Sequence, residues 1–116
     1  MTSIYNIDKP VDKNMIKSKK LLDKYPDKCP IIIISDLIKQ KKYLVPRDIT
    51  VTMFQQIIRK RIDKIHHSKA IFLFFMRDGQ PILHSATTMI GNIFDECKSS
   101  KDGFLYVKID TENTFG

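Results

Sequence analysis

The sequence predicts one α+β domain, a single β-sheet with helices packed across it. Three observations carry this. The chain has 116 residues, the size of one domain. Hydrophobic residues make up 42% and charged residues 28%, a globular composition with enough apolar material for a small core. The apolar pattern changes along the chain: short β-branched or alternating runs stand on either side of one long run at helical spacing.

The elements follow in order. Met15, Ile16, Leu21 and Leu22 recur among lysines between Lys13 and Asp23, which predicts a basic amphipathic helix. Tyr25-Pro26-Asp27 ends it, because a proline pushes the residue before it out of helical geometry. Ile31 to Ile34 is a continuous β-branched run, the pattern of a strand buried on both faces. Ser35 to Lys42 is a polar connection, and Tyr43-Leu44-Val45 is a second strand that Pro46 closes. Thr50 is placed to cap the clearest helix, where Val51, Phe54, Ile57, Ile58, Ile62 and Ile65 fall at helical spacing. Arg59, Lys60 and Arg61 lie near its C-terminal half, where cations suit the helix dipole.

Ala70 to Met76 is a third strand, and Asp78-Gly79 is a turn signal. Pro81 to Leu83 is expected as a short extended piece. Ser85 or Thr87 is the expected cap of a second, shorter helix bearing Ile90, Ile93, Phe94 and Cys97 on one face. Lys101-Asp102-Gly103 turns the chain into a fourth strand, Phe104 to Ile109. Strand, strand, helix, strand, short helix, strand is the order of the β-grasp, or ubiquitin-like, fold: a four-stranded sheet with packed helices. The expected organisation is an N-terminal helical extension at 1–28, the β-grasp domain at 29–109 and a flexible tail at 110–116.

Charge and motifs narrow the function. Twenty Lys and Arg against thirteen Asp and Glu give +7 at pH 7, which favours acidic partners. The opening MTSIYNIDKP has no apolar core of a signal peptide, and the apolar runs are far too short to cross a bilayer. Cys29 and Cys97 have no CxxC or disulfide-rich spacing and read as buried reduced thiols. His66, His67 and His84 have no Cys or carboxylate at metal-ligand spacing, so no metal site is expected. No phosphate loop, nucleophile elbow or HExxH is present; neither a cofactor nor an enzymatic activity is expected.

The chain ends DTENTFG. A terminal glycine carboxylate has no side chain to block a narrow enzyme channel, so Gly116 is a candidate chemical handle. It gains meaning from what precedes it. KYPDKCP (24–30), KKYLVP (41–46), DITV (48–51), RKRI (59–62), KDGFLYV (101–107) and ENTFG (112–116) stand in this order. Together with Tyr5, Pro10 and Lys13 they closely resemble the GABARAP and microtubule-associated light chain family, the ubiquitin-like modifiers of autophagy. The resemblance covers nearly the whole chain. Val11, Lys17 and Thr52 depart from the family pattern, the stretch from Ile34 to Lys41 looks shortened, and the hairpin from Arg77 to Leu83 looks lengthened.

The resemblance implies that Gly116, presented by Phe115, is adenylated by an activating enzyme, carried as a thioester by a conjugating enzyme and joined to phosphatidylethanolamine. It also implies a processing or deconjugating cysteine protease, and a location that is cytoplasmic or, once lipidated, autophagosomal. A second implied activity is binding of cargo receptors through short motifs with an aromatic, two spacers and an aliphatic, preceded by acids. Such a peptide adds a strand to an exposed edge, here Tyr43 to Val45. By match to the family motif, Leu21, Pro30, Ile32, Lys42, Leu44 and Phe104 form the aromatic pocket. Tyr43, Val45, Pro46, Ile49, Phe54, Ile57 and Ile58 form the aliphatic pocket, and Lys28, Lys41 and Arg61 meet the acids. Lys42 is expected to be exposed.

Plain readings compete. Phe54, Ile57 and Ile58 also fit core packing, Arg59 to Arg61 fit a solvated helix end, and Lys17, Lys19 and Lys20 fit a solvated face as well as a contact with anionic lipid. Two other functions remain: a modifier joined to protein lysines, and a small basic nucleic-acid binder. The single glycine after Phe115 weighs against the first. The second needs exposed aromatics among the basic residues, whereas most aromatics here fall at core positions, so no nucleic-acid partner is expected.

Overall fold

The structure is a computed structural model that describes residues 14–39, 41–62 and 70–111, with side chains from 17 onward. The described elements are α1 (Asn14–Lys24), β1 (Lys28–Ile34), β2 (Lys42–Pro46), α2 (Val51–Arg61), β3 (Ile71–Arg77), β4 (Gln80–Ile82), α3 (Ile90–Cys97) and β5 (Leu105–Thr111). The strands form one sheet in the order β2-β1-β5-β3-β4. Its centre is the parallel pair β1–β5, with Ile31 opposite Leu105 and Ile33 opposite Val107. The remaining pairs are antiparallel.

This is the expected α+β ubiquitin-like architecture, with two extensions. The short extended piece after the Asp78-Gly79 turn is a fifth strand, β4, which pairs Ile82 with Phe75. Asp78 and Gly79 both adopt positive φ, 50° and 81°, the turn geometry that joins two strands tightly. β5 also runs beyond the expected Ile109, pairing Asp110 with Phe72 and Thr111 with Ile71. Those two residues therefore belong to the sheet and not to a tail. Residues 112–116, with Phe115 and Gly116, lie outside the described residues.

The two faces of the sheet are covered unequally. Alternation sends Cys29, Ile31, Ile33, Tyr43, Val45, Leu73, Phe75, Leu105, Val107 and Ile109 to one face, where they pack with Phe54 and Ile58 of α2 and Ile90, Ile93 and Phe94 of α3. On the other face Ile32 and Phe104 form a small cluster joined by Leu21 of α1 and Tyr106. β1 touches both layers, which is why its isoleucines read as one unbroken apolar run.

Helix ends show a further difference. Thr50 caps α2 as expected, its Oγ1 accepting from Met53 N at 3.2 Å. α3 is not capped by Ser85 or Thr87. Its N-cap is Met89, which offers no side-chain acceptor. The backbone replaces the cap: Ile90 N donates to Ile49 O at 2.8 Å and Gly91 N to Arg47 O at 2.9 Å. In return Val51 N donates to Thr88 O and Thr52 N to Ala86 O, so the two helix starts satisfy their orphan amides on each other's approach loops. Thr52 adds a side-chain bond to Ala86 O at 3.1 Å.

Candidate functional site

Among the described residues β2 is one edge of the sheet and pairs only with β1. Its register decides which backbone groups face outward. Ile33 N donates to Lys41 O, and Arg47 N donates to Asp27 O. In an antiparallel ladder hydrogen-bonded pairs alternate with non-bonded pairs. Between those two bonds, Ile31–Tyr43 and Cys29–Val45 have bonded parity, and Ile32–Lys42, Pro30–Leu44 and Lys28–Pro46 have the other. The N–H and C=O of Leu44 therefore turn away from β1, toward the open edge. Pro46 has the same outward parity and no N–H, so the usable edge ends there.

The side chains of β2 divide between the faces. Pro30, Leu44, Ile32 and Lys42 are register neighbours on the α1 face, together with Phe104 and Leu21. All six predicted aromatic-pocket residues thus belong to this face. Leu44 and Phe104 are fully buried, and Leu21 is the half-buried member. Lys42, expected to be exposed, is 8% exposed. It sits opposite Ile32 on the apolar face, where a long aliphatic stem is covered more easily than its head. Tyr43, Val45, Ile49, Phe54 and Ile58 of the predicted aliphatic pocket are all core residues of the α2–α3 face. Ile57 packs against them half-buried and Pro46 is also half-buried, so these two form the rim.

Of the predicted cations, Lys41 is exposed and its Nζ donates to Ser35 O. Lys28 is half-buried at the start of β1. Arg61 lies over the Tyr43 ring, 5.7 Å from its centroid, a cation–π arrangement. Burial pushes the Tyr43 phenol above its ordinary value while Arg61 pulls it back. The Tyr43 hydroxyl is buried without a hydrogen-bond partner among the described residues, an unsatisfied polar atom at the base of the aliphatic group.

Two features escaped the sequence reading. Arg47, just after β2, makes a paired contact with Asp95 of α3, Nη1 to Oδ1 at 3.0 Å and Nη2 to Oδ2 at 2.5 Å, and Nη2 also donates to Gly91 O. Gly91 permits it, because a Cβ there would lie 2.8 Å from the Arg47 Cβ. The second feature fastens α1. Ser18 Oγ donates to Asp102 O at 2.6 Å, Phe104 N donates to Asp102 Oδ1 at 3.0 Å, and the Tyr106 hydroxyl donates to Asp102 Oδ2. The sequence signalled Lys101-Asp102-Gly103 only as a turn, because the partners are distant in the chain.

A family model described as "Autophagy protein Atg8 ubiquitin like" matches residues 13–116. The chain belongs to the Atg8 family of autophagy ubiquitin-like proteins. It is 41% identical to autophagy-related protein 8c of Arabidopsis thaliana, with 98% of this chain and 96% of that protein aligned. It is 42% identical to autophagy-related protein 8 of Schizosaccharomyces pombe, over 100% of this chain and 96% of that one. The solved Trypanosoma brucei ATG8 superposes with a TM-score of 0.73 at 29% identity, covering 94% of both chains. Plasmodium falciparum Atg8, solved with a Plasmodium falciparum Atg3 peptide, shares the fold at a TM-score of 0.71 and 24% identity, covering 90% of this chain and 92% of that one. No described helix of this Atg8-family protein is long and apolar enough to cross a membrane.

Proposed function

We propose that this Atg8-family protein is joined through Gly116 to phosphatidylethanolamine and recruits cargo receptors at the β2 edge. The observation that supports the recruiting role most directly is the outward backbone of Leu44, set between an apolar group on each face of one strand. An extended peptide pairing with Leu44 sends alternate side chains to opposite faces. Its aromatic enters past half-buried Leu21, and its aliphatic enters past Pro46 and Ile57. Lys28, Lys41 and Arg61 surround this edge and draw in the peptide's acids, a basic field consistent with the net charge of +7. The groups inside are closed, so a bound aromatic displaces Leu21 outward and takes its place over Phe104.

Family membership and the ENTFG motif support the conjugation arm. The protein is then a substrate passed between an activating and a conjugating enzyme, released by a cysteine protease, and not itself a catalyst. The product carries two acyl chains, and at about 0.8 kcal/mol per buried CH₂ two chains anchor stably where one does not. Residues 1–28 act as the helical extension, 29–111, to the end of β5, as the domain and 112–116 as the reactive tail. The protein is cytoplasmic until lipidation moves it to the autophagosomal membrane.

The mass of the protein purified from cell membranes tests the first arm. A phosphatidylethanolamine adduct on Gly116 is expected; an isopeptide to a protein lysine would replace this reading with the modifier alternative. Calorimetric titration with an acidic aromatic-x-x-aliphatic peptide tests the second. Leu21→Ala should weaken binding about ten-fold, about 1.4 kcal/mol, with the fold unchanged by circular dichroism. Equal affinity would remove the aromatic group from the site.

A further inference from the structure

Away from the β2 edge, the fold assembles a set of metal-ligand side chains that the sequence spacing did not reveal. His84, on the segment between β4 and α3, meets Glu96 and Cys97 in the last turn of α3. One donor atom from each lies within 4.8 Å of the others. The separation in sequence, twelve and thirteen residues, matches no standard ligand spacing. It is the packing of the β4–α3 segment back along α3 that closes the gap.

From this cluster we infer a binding site for a zinc-class dication, held by an imidazole nitrogen of His84, a Glu96 carboxylate oxygen and the Cys97 sulfur.

Donor chemistry, geometry and charge support it. The donor set is N, O and S, which suits a borderline ion such as zinc and not the all-oxygen preference of calcium or magnesium. Donors around tetrahedral zinc stand roughly 3.5 Å apart, so the closing movement is on the order of 1 Å, within reach of side-chain rotation. His84 has no strong bond to lose: Nε2 is 3.9 Å from Glu96 Oε1, beyond hydrogen-bond length, and Nδ1 is buried without a partner among the described residues. Its Phe75 neighbour, edge-on at 5.4 Å between ring centroids, fixes the imidazole without satisfying a nitrogen.

Charge also balances. A dication with one thiolate and one carboxylate is neutral, the state least penalised beside an apolar core. Cys97 is 3% exposed, and burial, with Glu96, pushes its thiol above the ordinary value. Binding therefore breaks the S–H bond, forms the metal–sulfur bond and sends one proton to solvent. The site lies at a helix C-terminus, whose partial negative charge favours a cation. Glu96, the most exposed of the three with 53% of its side chain accessible, leaves the cluster open to solvent on its side, from which the ion and a fourth, water ligand would come. Bound metal would pin the β4–α3 segment to α3 and shield the thiol.

Cobalt and zinc titrations of the full chain test the inference. Co²⁺ should give a thiolate-to-metal charge-transfer band at one equivalent with release of about one proton, and Zn²⁺ should then displace it with no further proton release. Cys97→Ser should abolish the band. His84→Ala and Glu96→Gln, at partly exposed positions that leave the core intact, should each weaken zinc binding at least ten-fold. Cys29→Ser and the double variant His66→Ala/His67→Ala should bind like the parent. Absence of the charge-transfer band, or zinc affinity unchanged in both His84→Ala and Glu96→Gln, would overturn the site. Loss of binding in the His66/His67 variant alone would place the metal elsewhere and overturn it equally.

Discussion

The two faces of the sheet do different work with different amounts of material. The face under α2 and α3 is a continuous core that runs from Cys29 and Tyr43 through Phe54 and Phe94 to Ile109. The face under α1 is a small cluster, Ile32 and Phe104 with half-buried Leu21 and Tyr106. The first is held by apolar area, which is non-directional and hard to lose locally. The second has little area and relies on a polar fastening, Ser18 to Asp102 and Asp102 to Tyr106. A binding pocket that must open is better built on the thin face. The aliphatic group, drawn from the thick one, can yield only at its rim.

Phe54→Ala should expose this contrast most strongly. Phe54 is fully buried in the main cluster, and truncating such a ring costs about 3–5 kcal/mol. Urea denaturation is expected to show a loss of that size, with any loss of peptide binding explained by unfolding. A loss below about 1 kcal/mol with peptide binding abolished would mean that Phe54 lines an open pocket, and the thick face would not be core in the sense argued.

On the thin face the sensitive position is Gly103. Its φ is 76°, a conformation that an alanine adopts only at a cost, and a Cβ there would lie 2.6 Å from Ser18 Oγ. The serine must swing away and release Asp102 O. Gly103→Ala should destabilise by about 1–2 kcal/mol. Amide hydrogen exchange should locate the effect: faster exchange in α1, with β3 and α2 altered only through global stability. Uniform acceleration in α1 and β3 would show that α1 is not a separately fastened layer.

Much of this contrast was legible in the residues. The isoleucine run gave a central strand, the helical spacing from Val51 gave α2 with its Thr50 cap, and the apolar run from Ala70 gave β3, although its uniform apolarity hid which residues, Ile71, Leu73 and Phe75, are buried and that Phe72 is exposed. What stayed hidden depends on groups brought from far along the chain. α3 has no side-chain cap because Arg47 and Ile49 carbonyls satisfy its first amides, which no local rule anticipates. The extended piece at Pro81 was legible, but its pairing with β3 as a fifth strand was not, because three residues with a proline lie below any periodicity signal. Lys42 and Leu44 were placed in the aromatic pocket by the family resemblance, and Lys42 was expected to be exposed; it is buried, as Leu44 is, because membership of an edge fixes where the backbone points and not how fully the side chains are covered. His84 lies near Glu96 and Cys97 only through the packing of the folded chain, twelve and thirteen residues away in sequence.

The smallest expected effect lies where the two ends of the thick face are tied together, at Arg47 and Asp95. The Arg47 guanidinium, first through its hydrogen bonds and then through its charge, holds the Asp95 carboxyl below its ordinary value of 3.8. A carboxyl depressed in the folded state adds stability that is present above that ordinary value and is lost as pH falls through the lower, folded value. The pair is 31% and 57% exposed, so solvent screens it and the contribution is under about 1 kcal/mol. Asp95→Asn keeps the shape and one acceptor, and Arg47 keeps its bond to Gly91 O. The variant should therefore lose a few tenths of a kcal/mol at neutral pH and nothing below the folded carboxyl value, where the parent has lost its charge too. Thermal midpoints of the two proteins, measured from neutral pH into the acid range, should converge as pH falls. Raising salt at neutral pH should also narrow the gap, because surface pairs are screened. A gap that stays constant into acid would mean that the pair acts through packing against Gly91 rather than through charge. The link between β2 and α3 would then belong with the apolar core, and the polar fastening would be confined to the α1 face.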